Sequence, residues 1–300
     1  MAVPNFLCVG AQKAGTTTLY EILKQHPSIF LPQKVKETKF FVYEEKYAKG
    51  VKFYEQAYFS DCKDQSAIGE VDPAMMYEEK AAQRIFETLG DKVKLIFIFR
   101  NPVSRAYSHY LMSKRKGFEE LSFDEAIATE AVRLKANPSQ KFNFSYLTRG
   151  YYTEQVNRFK KYFKEENMLF LVFEDDFIKN RNETFNRIQD FLGVKRAALN
   201  LQIKSNEAAI PRNKAVHELT RKKNPVRKVL GMLLPSGAKK WLQRFIAKKN
   251  SATTENAKLD KQKEKQLIDK FFINDIHQLE KLIHRDLSTW YGGGELRIKN

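Results

Sequence analysis

The sequence predicts an α/β fold of three layers, a central parallel β-sheet with helices on both faces, followed by a basic helical C-terminal region. Apolar runs at residues 3–10, 67–73, 93–99 and 168–173 have the length of buried strands. Between them lie stretches in which apolar residues recur at helical spacing. Strands alternating with helices imply βαβ units, hence parallel pairing. The whole of 1–300 reads as a single domain, with an α/β core over 1–200 and a loop plus C-terminal helices over 201–300.

The elements follow in order. Residues 3–10 make the first strand, which leaves through Gly10-Ala11-Gln12-Lys13-Ala14-Gly15-Thr16-Thr17-Thr18. The next helix carries Leu19, Ile22 and Leu23 on one face and ends before His26-Pro27. Residues 32–41 read as a charged loop closing on Phe40 and Phe41, and 43–59 as an aromatic-rich helical segment. The strand over 67–73 stops at Pro73. A helix over 79–89 precedes the strand over 93–99. Arg100-Asn101-Pro102 then opens a helix over 103–116, with proline in the first turn, where a missing N–H costs nothing.

Ser122 caps a helix over 123–135, and 137–145 reads as loop. A long amphipathic helix begins at 149–151 and runs through 163, with Tyr152, Val156, Phe159 and Phe163 on its apolar face. The strand over 168–173 and a helix over 185–192, stopped by Gly193, complete the core. A last helix over 260–282 places Phe271, Ile276, Leu279 and Leu282 inward.

The first turn is the chemical centre of the chain. A strand, a glycine-bounded turn and a helix N-terminus form an anion site, because free N–H groups and the positive end of the helix dipole point to one place. Gly10 and Gly15 permit close approach, Lys13 adds positive charge, and Thr16, Thr17 and Thr18 add hydroxyls. The two glycines have the separation of a phosphate-binding P-loop, so the core is P-loop-NTPase-like, yet Thr16 stands where that motif requires lysine. The strand over 93–99 ends in Arg100, not in the acidic residue that would hold magnesium. A P-loop kinase or NTPase is therefore disfavoured, and the pattern suits a nucleotide handled without metal. If Arg100 ends a strand beside the first, it stands at the same sheet edge as the glycine turn, where ligands of open parallel sheets bind. Ser108, two turns along the following helix, can share a phosphate with the Arg100 guanidinium. Two such features imply a ligand with two separated anionic groups.

Composition adds a charge argument. The net charge of +17 points to polyanionic or phosphorylated partners. Residues 221–265 hold 14 Lys/Arg against 3 Asp/Glu, so the excess is concentrated there. A non-enzymatic nucleic-acid binder would use that segment but leave the glycine turn and Arg100 without work, so no nucleic acid is expected. Basic amphipathic stretches at 225–234 and 239–246 either pack on the core or touch an anionic membrane. Cys8 reads as a buried thiol and Cys62 as a loop residue, with no disulfide framework or metal-ligand spacing. With no leader and no 18-residue apolar run, the expectation is a cytoplasmic protein, with peripheral contact at the inner membrane as the variant.

On these residues the chain resembles the sulfotransferases that use 3′-phosphoadenylyl sulfate (PAPS), in particular the carbohydrate- and heparan-sulfate-modifying branch and its bacterial relatives. The matching pieces are the turn from Gly10 to Thr18, Arg100-Asn101-Pro102 with Arg105 and Ser108, and Lys36-Glu37-Thr38-Lys39-Phe40-Phe41. Arg149-Gly150-Tyr151, Phe191-Leu192-Gly193 and Arg285 to Trp290 are further landmarks, so the likeness spans residues 3–291.

The resemblance implies that Lys13, Ala14, Gly15, Thr16, Thr17 and Thr18 hold the 5′-phosphosulfate, and that Lys13 stabilises the leaving phosphate. It implies that Arg100 and Ser108 bind the 3′-phosphate, and that the 204–213 loop closes over the adenosine with Arg212 as a third phosphate contact. Glu37 would be the base toward a hydroxyl or amine of a glycan or lipid-linked glycan, with 3′,5′-ADP (PAP) as product and no metal. Two departures fall on the acceptor side. Lys39 stands where the glycan enzymes tend to carry histidine. Glu70-Val71-Asp72-Pro73 stands where they tend to read Ser-Pro or Lys-Ser-Pro. Glu70 or Asp72 could thus share the base role, or anchor the loop by accepting backbone N–H groups.

Overall fold

The computed structural model describes residues 2–203, 209–211, 251–253 and 259–292. Strand β1 (Phe6–Gly10) is buried at every position and leads into α1 (Thr16–Leu23), which buries Leu19, Ile22 and Leu23 on the expected face. Then come β2 (Ile29–Phe30), α2 (Glu44–Tyr47), α3 (Gly50–Tyr58), β3 (Ala67–Val71), α4 (Ala81–Leu89) and β4 (Lys94–Phe99). Helix α5 (Pro102–Arg115) is capped by Asn101, whose Oδ1 accepts the N–H groups of Val103 and Ser104, both at 3.0 Å. Helices α6 (Phe123–Ala128), α7 (Glu130–Ala136) and α8 (Lys141–Phe144) follow, and α9 (Tyr152–Lys160), β5 (Met168–Val172) and α10 (Arg181–Leu192) close the core. A short antiparallel pair joins β6 (Ala209–Pro211) to β7 (Ser251–Thr253), and α11 (Lys261–Phe271) and α12 (Ile273–Ile283) are followed by a 3₁₀ turn at Ser288–Trp290.

Strands β1 to β5 form one parallel sheet in the order β2-β3-β1-β4-β5. The central strand β1 thus has β3 on one side and β4 on the other. In a parallel sheet all carboxyl ends lie at one edge. The topology therefore delivers the glycine turn after β1, Glu70 and Asp72 at the end of β3, and Arg100 after β4 to one place.

The chain divides into two compact units. The first, Met1–Arg105 with Leu147–Asn206 and Lys261–Asn300, holds the five-stranded sheet. The second, Ala106–Tyr146 with Glu207–Asp260, has its own polar centre: buried Glu119 accepts from Tyr146 Oη (2.8 Å) and Arg133 Nη1 (2.7 Å). Among the described residues no helix is long and apolar enough to cross a membrane.

Several boundaries differ from the sequence reading. The expected helix over 123–135 breaks at Thr129, whose hydroxyl donates back to the Glu125 carbonyl (2.7 Å) and competes with the helical ladder. The 137–145 stretch holds a 3₁₀ turn and α8, and is not irregular loop. Helix α9 is shorter than expected, but its four expected apolar residues are all buried. The last helix is two, broken at Phe272, yet one buried face runs across the break through Ile268, Phe272, Ile276, Leu279 and Ile283, so Phe272 and Ile283 are buried where Phe271 and Leu282 were expected. The strand over 168–173 stops at Val172, and Phe173–Lys179 forms a π-helical turn. Of the 204–213 loop only Ala209–Pro211 is described, and the stretches 225–234 and 239–246 lie outside the described residues.

Candidate functional site

The turn after β1 is fixed from below. Gly15 adopts φ 90° at the N-cap of α1, and a Cβ there would come within 2.9 Å of the Phe173 ring. Glycine is thus required twice, once by the backbone and once by the ring beneath it. Behind Gly15, the first N–H groups of α1, at Thr16, Thr17 and Thr18, have no carbonyl to bind within the helix. Lys13, half-buried with φ 72°, offers its carbonyl to Arg100 Nη1 at 3.0 Å. Ala14 is fully buried. The strand-end arginine and the glycine turn are therefore physically joined.

Arg100 also lies over the Phe173 ring, 5.1 Å from its centroid, and its buried Nε has no hydrogen-bond partner among the described residues. Burial lowers its pKa, opposed by the nearby Glu174 carboxylate. Glu174 itself is occupied, accepting the Asn101 N–H (3.1 Å) and Trp290 Nε1 (3.2 Å). The Arg100 carbonyl accepts from Tyr152 Oη (2.9 Å). The guanidinium thus keeps donor capacity at the sheet edge.

A second wall comes from residues 36–40. Glu70, fully buried at the end of β3, accepts the Thr38 N–H (2.7 Å) and Tyr54 Oη (2.5 Å). Burial, and then the charge of Asp72, push its pKa upward against those donors. Asp72, also fully buried, accepts the Lys39 N–H (3.1 Å), Lys39 Nζ (2.7 Å) and the Ala74 N–H (3.1 Å). Two carboxylates from one strand end thus hold two successive peptide groups of the segment, and Lys39 takes φ 61° to meet them.

That leaves Glu37 facing outward, 36% exposed, between two cations: Lys39 Nζ at 2.8 Å and Lys36 Nζ at 3.4 Å. Burial alone would raise its pKa, but Lys39 and then Lys36 outweigh it, so the carboxyl titrates below its usual range. Burial would likewise lower the pKa of Lys39, but Asp72 and Glu37 hold it above the usual value. Lys36 Nζ reaches past Glu37 to the hydroxyls of Thr17 (3.3 Å) and Thr16 (3.5 Å). The first turn of α1 and the candidate base are bridged by one ammonium group.

Of the expected site residues, Lys13 to Thr18, Glu37, Lys39, Glu70, Asp72 and Arg100 therefore share the carboxyl edge of the sheet. Ser108 is half-buried on the part of α5 belonging to the second unit, and Arg212 lies outside the described residues. The sequence reading gave no site role to four contributors. Phe173 floors the turn, Lys36 bridges it to Glu37, Tyr54 holds Glu70, and Arg149, buried with its guanidinium 4.3 Å from the Tyr77 ring centroid, adds charge. Burial and then Arg105 lower the pKa of Arg149, while Asp72 and Glu37 are close enough to oppose them. Lys36 was legible as a cation directly before the acid, and Arg149 as part of a landmark of the resemblance; Phe173 and Tyr54 have no local signature.

The donor set suits a phosphosulfate and a separate phosphate. The helix N–H groups, the hydroxyls of Thr16 and Thr17 and the Lys36 ammonium meet at the start of α1, Lys13 lies in the turn before it, and Arg100 is bonded to that turn. The fit rests on the glycine cradle that a Cβ would fill and on the unsatisfied Arg100 Nε.

The sulfotransferase domain profile matches residues 4–251. The chain is 28% identical over 201 residues to mouse heparan sulfate glucosamine 3-O-sulfotransferase 5, covering 64% of this chain and 54% of the relative. It is 35% identical over 139 residues to the membrane-associated sulfotransferase kil1 of Dictyostelium discoideum, covering 44% of this chain and 29% of that protein. The chain thus spans about half the length, or less, of these curated relatives. Its fold superposes on the crystal structure of a sulfotransferase from Alicyclobacillus acidocaldarius with a TM-score of 0.66 at 25% identity, over 97% of this chain and 99% of that one.

Proposed function

This chain belongs to the sulfotransferase family, and we propose that it moves a sulfuryl group from PAPS to a hydroxyl of a glycan acceptor. When bound, PAPS supplies an activated sulfuryl group whose transfer leaves 3′,5′-ADP. The N–H groups and hydroxyls of Thr16, Thr17 and Thr18 hold the 5′-phosphate end, with Ala14 and Gly15 shaping the turn. Lys13 places positive charge where the leaving phosphate gains it, as such reactions require. Arg100 takes the 3′-phosphate. For Ser108 and Arg212, as further 3′-phosphate ligands, the support is the sequence pattern alone.

Glu37 takes the proton of the acceptor hydroxyl. Its ion pairs keep it ionised at neutral pH, and it is the accessible carboxylate of the three. Glu70 and Asp72 position the segment that carries it, and Lys39 is its orienting partner. That an acceptor is a glycan is supported by the name of the mouse relative, a heparan sulfate glucosamine 3-O-sulfotransferase. The single observation that carries the reading is the Arg100–Lys13 contact, which joins two anion-binding features into one site.

Calorimetric titration with 3′,5′-ADP, AMP and Mg-ATP tests it. Binding of 3′,5′-ADP far tighter than AMP without metal, and lost in Arg100→Ala, is the expected result. Equal binding of 3′,5′-ADP and AMP, or preference for Mg-ATP, overturns the reading.

A further inference from the structure

Lys36 is the feature of the site that the proposed roles leave unused. Its side chain is 19% exposed, and its ammonium lies between Glu37 Oε1 and the two hydroxyls at the start of α1. A cation at the positive end of a helix dipole is placed against the field. Glu37 offsets this in part, but the hydroxyls of Thr16 and Thr17 are neutral partners. The stem has little freedom to leave, because the peptide groups of Thr38 and Lys39 just after it are held by buried Glu70 and Asp72. An ammonium fixed at a helix N-terminus is stabilised when an anion occupies the same place.

Its two contacts also say which part of the anion it meets. The hydroxyls belong to the cradle proposed for the 5′-phosphate, and Glu37 is the group proposed to face the acceptor. In PAPS the group between the 5′-phosphate and the acceptor is the sulfuryl group. We infer that Lys36 is a second donor-binding cation, contacting the sulfuryl oxygens and so distinguishing the sulfated donor from its desulfated product. The inference rests on the proposed PAPS chemistry. It also gives Lys36 a part in the reaction, since a cation at those oxygens is already in place as charge shifts during transfer.

The test needs no turnover. Wild type, Lys36→Gln, Lys36→Ala and Lys36→Arg are titrated calorimetrically with PAPS and, separately, with 3′,5′-ADP, in the absence of acceptor. Removing one charge-assisted contact is expected to weaken PAPS binding roughly ten-fold or more, with less than about three-fold change for 3′,5′-ADP. Lys36→Arg, which keeps the charge, restores most of the difference. The apo proteins are melted in parallel, and Lys36→Gln keeps a polar stem should Lys36→Ala fold poorly. Equal losses for both ligands, or no loss for either, overturn the assignment while leaving the donor reading intact. A wild type that binds neither ligand overturns the donor reading, and the assignment falls with it.

Discussion

Lys39 is joined to Asp72 twice, through its ammonium at 2.7 Å and its backbone N–H at 3.1 Å, so one carboxylate fixes both the charge and the peptide of the residue two places after Glu37. The carboxylate is fully buried, whereas the Lys39 side chain is 21% exposed and retains Glu37 as a second partner.

Breaking that pair should be costly. Asp72→Ala leaves the Lys39 and Ala74 N–H groups without their acceptor and removes one of two counter-charges from Lys39. Loss of one partner of a buried pair costs about 3–5 kcal/mol, and the partial exposure of Lys39 argues for the lower end. A chain of this size then melts about 5 °C lower. Asp72→Asn, which keeps an acceptor but not the charge, should fall between. Thermal melting of both variants checks the order; an unchanged melting temperature in Asp72→Ala would remove Asp72 from the scaffold.

Glu70 should give a pH dependence of the opposite sense to that of a salt-bridged acid. Its pKa is raised in the folded state by burial and by Asp72. The folded protein then binds the proton more tightly than the unfolded chain, so stability contributed by this group is present at low pH and lost as pH rises from the ordinary value of 4.5 upward. Glu70→Gln keeps an acceptor for the Thr38 N–H but does not titrate. Urea unfolding of both proteins across that range should show wild type losing stability relative to Glu70→Gln with increasing pH. A difference that stays flat would mean that Glu70 titrates normally.

Gly15→Ala should damage the turn without any change of charge. The methyl group meets the Phe173 ring at 2.9 Å and the backbone must hold φ 90°. A loss of about 1–3 kcal/mol in stability is expected, with weaker binding of 3′,5′-ADP. Phe173→Leu in the same chain makes room for the methyl group but cannot relieve the backbone, so recovery should be partial. Full recovery would show that sterics alone demand glycine.

The parts of the fold legible in the sequence were those with a strong local cause. β1 and β4 are apolar runs buried on both sides, and Gly15 and Gly193 mark places where φ must be positive. Strand β2 was invisible because two residues have no periodicity; it exists through its pairing with β3. Of the π-helical turn at Phe173–Lys179 only Phe173 was read, as a strand end, although this residue floors the glycine turn. Cys8 was readable as a buried thiol, and burial pushes its pKa up to about 12. At the site, Arg100 was legible because a strand ending in arginine beside a glycine turn is unusual. Lys36 was visible as a cation directly before Glu37, but sequence alone does not distinguish it from Lys34 and Lys39 as the lysine that reaches α1. Only the pinning of residues 38 and 39 by buried carboxylates decides which lysine turns toward α1.

The same three-residue arrangement makes a prediction for the pH dependence of the reaction. Glu37 titrates below the usual 4.5 because Lys39, and then Lys36, outweigh the effect of burial. As the base it must be ionised, so activity should fall on the acid side only below the ordinary carboxylate range. Lys39→Met removes the larger of the two lowering influences, so the acid limb of kcat/KM should move to higher pH. Asp72 then loses its ammonium partner, so apo stability is measured beside the kinetics and the profile taken only where the variant is folded. Glu37→Gln should lower activity by about 10²–10⁴-fold with 3′,5′-ADP binding retained. An acid limb that stays in place when Lys39 is removed would mean that the limb reports another group. A fully active Glu37→Gln would mean that a different group accepts the proton.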